Sequence, residues 1–219
     1  AADEHPEIQA VLLEVLQGEG GINVADTEYL QALRKLCTAK GWLLMIDEVQ
    51  SGIGRTGKWF GYQHADIHPD VITLAKGLGS GVPIGACLAA GPAAGVFTPG
   101  THGTTFGGGP LVSVAALATL KIMEEEGLLA HADQMGQLIR AVLSRELAGI
   151  AGVKDIRGRG LMVGVELWKP CGELVAIARD KGLIINVTRD NVVRLLPPLV
   201  IKKEEAETLA MELAPLIKA

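Results

Sequence analysis

Short apolar runs separated by longer segments of helical period constrain this chain most. Residues 10–16, 43–46, 71–75 and 85–90 are nearly unbroken apolar stretches, the pattern of strands buried on both faces. Between the first two, Tyr29, Leu30, Leu33, Leu36 and Cys37 fall near one helical face. Asp26 or Thr27 is suited to cap that helix, and Gly41 to stop it. This strand–helix–strand rhythm predicts an α/β fold around a mostly parallel sheet. A glycine-rich loop at 100–110 leads into an Ala-rich helix at 111–126, which Gly127 ends.

The texture then changes. An amphipathic helix is expected at 128–147, with strands at 153–156 and 161–167 around Arg157-Gly158-Arg159-Gly160. A helix at 172–181 and strands at 183–187 and 192–196 follow. The closing helix, 203–218, contains Pro215, which should end or kink it early. This second part reads as a small α+β unit, giving domains at 1–126 and 127–219. The chain opens at Ala1 and is soon in an apolar run, so it reads as entering mid-domain, as a processed or trimmed chain would.

Composition removes several function classes. With 48% hydrophobic and 21% charged residues the chain should be globular. A net charge of −5 without a dense basic block argues against nucleic acid as a partner. The longest apolar stretch, 84–97, is broken by glycines and Pro92 and is too short to span a bilayer. The three cysteines, Cys37, Cys87 and Cys171, are scattered, which suggests reduced thiols and a cytoplasmic setting.

Two side chains stand out against this background. Asp47, in Asp47-Glu48-Val49-Gln50-Ser51-Gly52, follows one apolar run. Lys76, in Ala75-Lys76-Gly77-Leu78-Gly79, follows another. Ligand groups in open α/β sheets sit just past strand carboxyl ends. A lysine able to form a Schiff base and a carboxylate able to hold a pyridine nitrogen protonated together suggest a pyridoxal phosphate (PLP) site. Desolvation is expected to favour the neutral lysine amine. A strand period of two would put Val49 on the side of Asp47, against the ring, with Gln50 placed for the phenolic oxygen. The plainer alternative is a solvated Asp-Glu pair and a surface lysine.

Glu19 follows the first apolar run, and Arg194 lies in Val192-Val193-Arg194-Leu195-Leu196. Such an arginine either clamps a substrate carboxylate or pairs with Glu19. The loop Gly100-Thr101-His102-Gly103-Thr104-Thr105 has hydroxyls and backbone N–H groups suited to phosphate, but is no Walker A loop. His64 and His68 are spaced i, i+4 with Asp66 between, but a metal site wants a third ligand and a second shell, and Pro69 and the loop-like setting argue against one.

These motifs, in order, resemble class III PLP-dependent aminotransferases, and among their branches the acetylornithine aminotransferases. The resemblance implies a fold-type I PLP transferase: part of the large domain, plus the small C-terminal domain. Lys76 would hold PLP covalently and shuttle a proton, while Asp47 pairs with the pyridinium nitrogen. Val49 would pack on the ring and Gln50 bond its phenolic oxygen. Thr105, beside Thr104, would reach the phosphate of a neighbouring subunit in a homodimer with shared sites. Arg194 would take the substrate α-carboxylate, with Glu19 covering it when an amine enters. The implied reaction moves an amino group from N²-acetylornithine to 2-oxoglutarate. Alternatives are an ornithine, succinylornithine or 4-aminobutyrate enzyme, or a non-catalytic fragment. Family members are longer, and this chain resembles only their second half. Gly109 stands where the family usually has Asn.

Overall fold

A computed structural model describes residues 5–218, which divide into two compact units. The first comprises residues up to Val15 together with Ala25–Ile53 and Lys58–Glu126. The second comprises Leu16–Val24, Gly54–Gly57 and the chain from Gly127 onward. The main division therefore falls after Glu126, and two short earlier segments belong to the second unit. Residues 1–4 of the expected first domain lie outside the described residues.

The first unit contains strand β1 (Ala10–Leu13). The expected strand at 10–16 is in fact split. Leu16–Gln17 (β2) pairs antiparallel with Asn23–Val24 (β3), and both belong to the second unit. Helix α1 (Thr27–Lys40) follows, capped by the Asp26 carboxylate, which accepts from Tyr29 N at 2.9 Å. Gly41 closes it in the left-handed conformation at φ 69°. Only Leu30 and Cys37 of the expected apolar face are fully buried, with Leu33 half-buried between them. Tyr29 and Leu36 are exposed, because they flank that stripe on the outward side.

Strands β4 (Leu43–Asp47), β5 (Val71–Leu74) and β6 (Ala86–Ala89) complete the sheet, in the order β1-β4-β5-β6. The pairs β1–β4 and β4–β5 are parallel, and β5–β6 is antiparallel. The expectation of strands buried on both faces fails for β1 and β6, where Leu12 and Leu88 are exposed. Both are edge strands of this sheet, so one flank of each lacks a paired neighbour. Asp70 ties the unit together just before β5. Its Oδ2 accepts from Leu44 N of β4 and from Arg34 of α1, both at 2.7 Å. Helix α2 (Pro110–Glu125) begins with proline at its first turn and no side-chain cap at Gly109.

The second unit opens its long C-terminal part with helix α3 (Leu128–Glu146). Strands β7 (Val153–Arg159) and β8 (Met162–Leu167) form a hairpin. Helix α4 (Leu174–Asp180), strands β9 (Asn186–Thr188) and β10 (Val192–Leu195), and helix α5 (Lys203–Lys218) follow. The sheet order is β7-β8-β10-β9, antiparallel throughout. One face carries the core: Ile139 and Leu143 of α3 and Leu213 of α5 pack with Val163, Val165 and Val193. The strand expected at 183–187 is shorter and later, at Asn186–Thr188. Pro215 does not end α5, which runs to Lys218. A proline one turn from a helix end removes one hydrogen bond, and the buried Leu213 and Ala214 hold the segment in place.

Candidate active site

In the first unit, the carboxyl ends of the adjacent parallel strands β4 and β5 bring the two sequence-selected residues to one edge. Asp47 ends β4 and stands in register with Thr73 of β5. Its Oδ1 accepts from the Thr73 hydroxyl at 3.1 Å and from Val49 N at 2.9 Å. The second bond starts a turn immediately after the strand. The strand alternation expected to align Val49 with Asp47 therefore does not continue past Asp47; a side-chain-capped turn holds the Val49 N–H on the Asp47 carboxylate instead. Val49 and Gln50 are both half-buried.

Lys76 begins a short 3-10 turn, Lys76–Leu78, directly after β5. Its backbone is left-handed, at φ 44°. A non-glycine residue there costs on the order of 1–2 kcal/mol, and such strain collects at functional positions. The turn packs against α2. Lys76 is exposed, so the desolvated setting expected from its apolar neighbours is not provided by these residues. A strand buries the residues along it, but Lys76 lies two residues beyond Leu74, the last of the strand.

Glu48 was overlooked in the sequence. Its side chain is only 1% exposed. Its Oε2 accepts from Ser51 Oγ at 2.6 Å and Gly61 N at 2.9 Å, and its Oε1 from Tyr62 N at 2.9 Å. Burial pushes its carboxyl above the ordinary range, against the pull of these donors. Glu48 therefore binds the turn after β4 to the 3-10 segment Gly61–Ala65. The solvated Asp-Glu pair of the plainer reading is not what forms. A serine three residues on was the available signal. Thr73 was also missed, although it is the lone polar residue of β5.

Thr104 and Thr105 lie in an exposed loop preceding α2. Thr104 Oγ1 accepts from Gly107 N at 3.2 Å, closing the loop on itself. No group of three His, Cys, Asp or Glu able to hold a metal ion occurs among the described residues.

The second unit brings Glu19 and Arg194 together. Arg194 Nη1 donates to Glu19 Oε1 at 2.7 Å. The pair is lopsided: the Arg194 side chain is 11% exposed and that of Glu19 is 71% exposed. Arg194 is held on β10, whereas Glu19 extends into water from the loop between β2 and β3. Ion pairs with an exposed partner are worth only about 0–1 kcal/mol, so another carboxylate can replace Glu19. Arg194 also lines a cleft with Ile184, Leu196 and Pro198. Arg55 donates to the Pro197 carbonyl just beyond β10, and burial pushes its pKa down to about 10.

The chain matches the family model described as aminotransferase class-III over residues 1–217. It belongs to the class-III aminotransferases. Among curated members, acetylornithine aminotransferase 1 of Bordetella bronchiseptica is 63% identical over 218 residues, covering 100% of this chain and 56% of that protein. Acetylornithine aminotransferase of Nitrosomonas europaea is 54% identical, covering 99% of this chain and 55% of that protein. Among solved structures, the ornithine aminotransferase of Toxoplasma gondii ME49 superposes with a TM-score of 0.93 at 38% identity. That match covers 99% of this chain and 52% of that one. This class-III aminotransferase chain thus spans little more than half the length of the curated relatives it matches.

Proposed function

We propose that this chain forms part of a PLP-dependent aminotransferase that moves an amino group from N²-acetylornithine to 2-oxoglutarate. The observation that carries the reading is the placement of Asp47 at the carboxyl end of β4, oriented by Thr73, and of Lys76 just past the carboxyl end of the adjacent parallel strand β5. When bound, PLP supplies an electron-accepting ring. Asp47 would keep a ring nitrogen protonated, and the Lys76 amine would anchor the cofactor and then carry a proton to and from the substrate carbon. Val49 would pack on the ring face and Gln50 donate to its phenolic oxygen. Thr104 and Thr105 would meet the phosphate of a neighbouring subunit.

Arg194 would receive the α-carboxylate of glutamate or 2-oxoglutarate. Glu19 would neutralise it when the entering substrate presents an amine side chain. The weak, lopsided ion pair supports this exchange. A homodimer is supported by Phe97, Phe106, Leu111 and Leu117, large apolar side chains that this unit leaves exposed. A cytoplasmic setting rests on the scattered cysteines. Among the described residues no helix is long and apolar enough to cross a membrane.

The test is borohydride reduction of the protein in the presence of PLP, followed by peptide mapping. A phosphopyridoxyl adduct confined to Lys76 supports the site, and labels spread over surface lysines overturn it. Glutamate formation from 2-oxoglutarate is then compared for acetylornithine and ornithine. An ornithine enzyme is the second reading, favoured by the 0.93 TM-score to the Toxoplasma structure. The 63% identity to an acetylornithine enzyme weighs more for substrate choice.

A further inference from the structure

The loop bearing Glu19 is seated on its sheet by contacts other than its own carboxylate. One row of residues crosses that sheet in register: Arg157 beside Gly164, Gly164 beside Arg194, and Arg194 beside Asn186. Residues in such a row share a face, so Gly164 leaves a notch between two arginines. Ile22, fully buried and at φ 56°, occupies the notch. A Cβ on Gly164 would come within 2.9 Å of the Ile22 Cβ. Thr188 stands on the same face, opposite Val192, and donates its hydroxyl to the Glu19 carbonyl. Arg157 donates to the Gly21 carbonyl at 2.6 Å and the Ile22 carbonyl at 3.2 Å.

The backbone is therefore pinned at Glu19 itself and at the residues just after it, while the Glu19 side chain remains in water. We propose that Thr188 and the seat of Ile22 on Gly164 position Glu19, so that exchange of Glu19 for a substrate carboxylate on Arg194 is a side-chain rotation above a fixed loop. This rests on the reading of Arg194 as the carboxylate site. Thr188 is a positioning residue, acting through Glu19. A pinned backbone keeps the Glu19 carboxylate at high local concentration beside Arg194, and any ligand must compete with it. Loosening the loop weakens the competitor, so ligand binding tightens.

The test is calorimetric titration of the intact protein with glutarate, an unreactive dicarboxylate. Wild type, Glu19→Gln, Thr188→Val and the double variant are compared. Glu19→Gln should bind glutarate more tightly than wild type. Loss of one hydrogen bond worth about 1 kcal/mol predicts roughly fivefold tighter binding in Thr188→Val. In the Glu19→Gln background, Thr188→Val should change nothing; with Glu19 in place, Thr188→Ser, which keeps the hydroxyl, should bind glutarate like wild type. Gly164→Ala, which displaces Ile22 by another route, should show the same dependence on Glu19. If Glu19→Gln tightens binding but the other variants act equally in both backgrounds, the positioning role is overturned while the Arg194 reading stands. If Glu19→Gln leaves glutarate affinity unchanged, the reading of the Arg194 site itself falls.

Discussion

The Thr73 hydroxyl donates to Asp47 Oδ1 at 3.1 Å across the β4–β5 pair. With Val49 N on the same oxygen, two donors from different segments fix the plane of the carboxylate. In the role proposed for Asp47, a carboxylate free to rotate would meet the ring nitrogen only part of the time. Thr73→Val, which keeps the strand's shape and loses the hydroxyl, should weaken PLP retention about fivefold, the worth of one hydrogen bond. Absorbance titration with PLP measures this, and Thr73→Ser should bind like wild type. Equal affinity in Thr73→Val would remove Thr73 from the site.

The left-handed backbone of Lys76 gives a second expectation. Lys76→Gly relieves the strain and Lys76→Ala does not, although both delete the amine. The glycine variant should be the more stable by about 1 kcal/mol, less the extra freedom glycine gives the unfolded chain. Urea midpoints decide the matter. An alanine variant equal to or more stable than the glycine variant would show that the turn carries no strain. Neither variant should yield the borohydride adduct at this position.

Glu48 makes stability depend on pH in a stated direction. Burial raises its pKa in the folded state above 4.5, so the folded form holds this proton more tightly than the unfolded chain. Its contribution is greatest below pH 4.5 and is lost as pH rises through the folded value. Glu166 runs the other way. Lys154 and Arg157 lower its pKa, so its contribution is present above pH 4.5 and is lost in acid. The stability of wild type minus that of Glu48→Gln should therefore fall with rising pH, then level off. A flat difference would mean that Glu48 titrates normally. Glu48→Ala leaves the Gly61 and Tyr62 N–H groups and the Ser51 hydroxyl without their acceptor. It should cost roughly 2–4 kcal/mol, measured by denaturant unfolding.

Helix α2 offers a gain. Gly109 at its N-cap has φ −61° and ψ 159°, which any L-residue adopts, and its side of the backbone has ordinary space. Gly109→Asn should stabilise the protein by a few tenths of a kcal/mol through a new side-chain cap. A lower melting temperature would show that the loop needs a bare backbone there.

What the sequence disclosed follows from the range of the forces involved. Asp26, Gly41 and Gly127 are local punctuation, and the helices they bound appear where the pattern puts them. Asp47 and Lys76 are legible because each ends an apolar run, a local signal as well. Glu48 was not, since its burial depends on Gly61 and Tyr62 folding back onto it, and hydropathy alone presents it as a surface acid. Nor was the split of residues 10–16. The run is apolar but for Glu14, and Val15 and Leu16 pass into different units; periodicity within a run does not reveal which sheet receives it. The Glu19–Arg194 pair was one of two alternatives for a buried arginine, and the choice required the antiparallel register of β10.

The second unit is assembled from Leu16–Val24, Gly54–Gly57 and the chain after Gly127. The loop with Ile22 and the sheet with Gly164 are thus encoded far apart yet shaped to each other. A recombination event at the seam after Glu126, between two diverged relatives, would join one parent's loop to the other parent's sheet. A larger side chain at residue 164 would need a smaller one at residue 22, so the two positions constrain each other despite the distance between them in the chain.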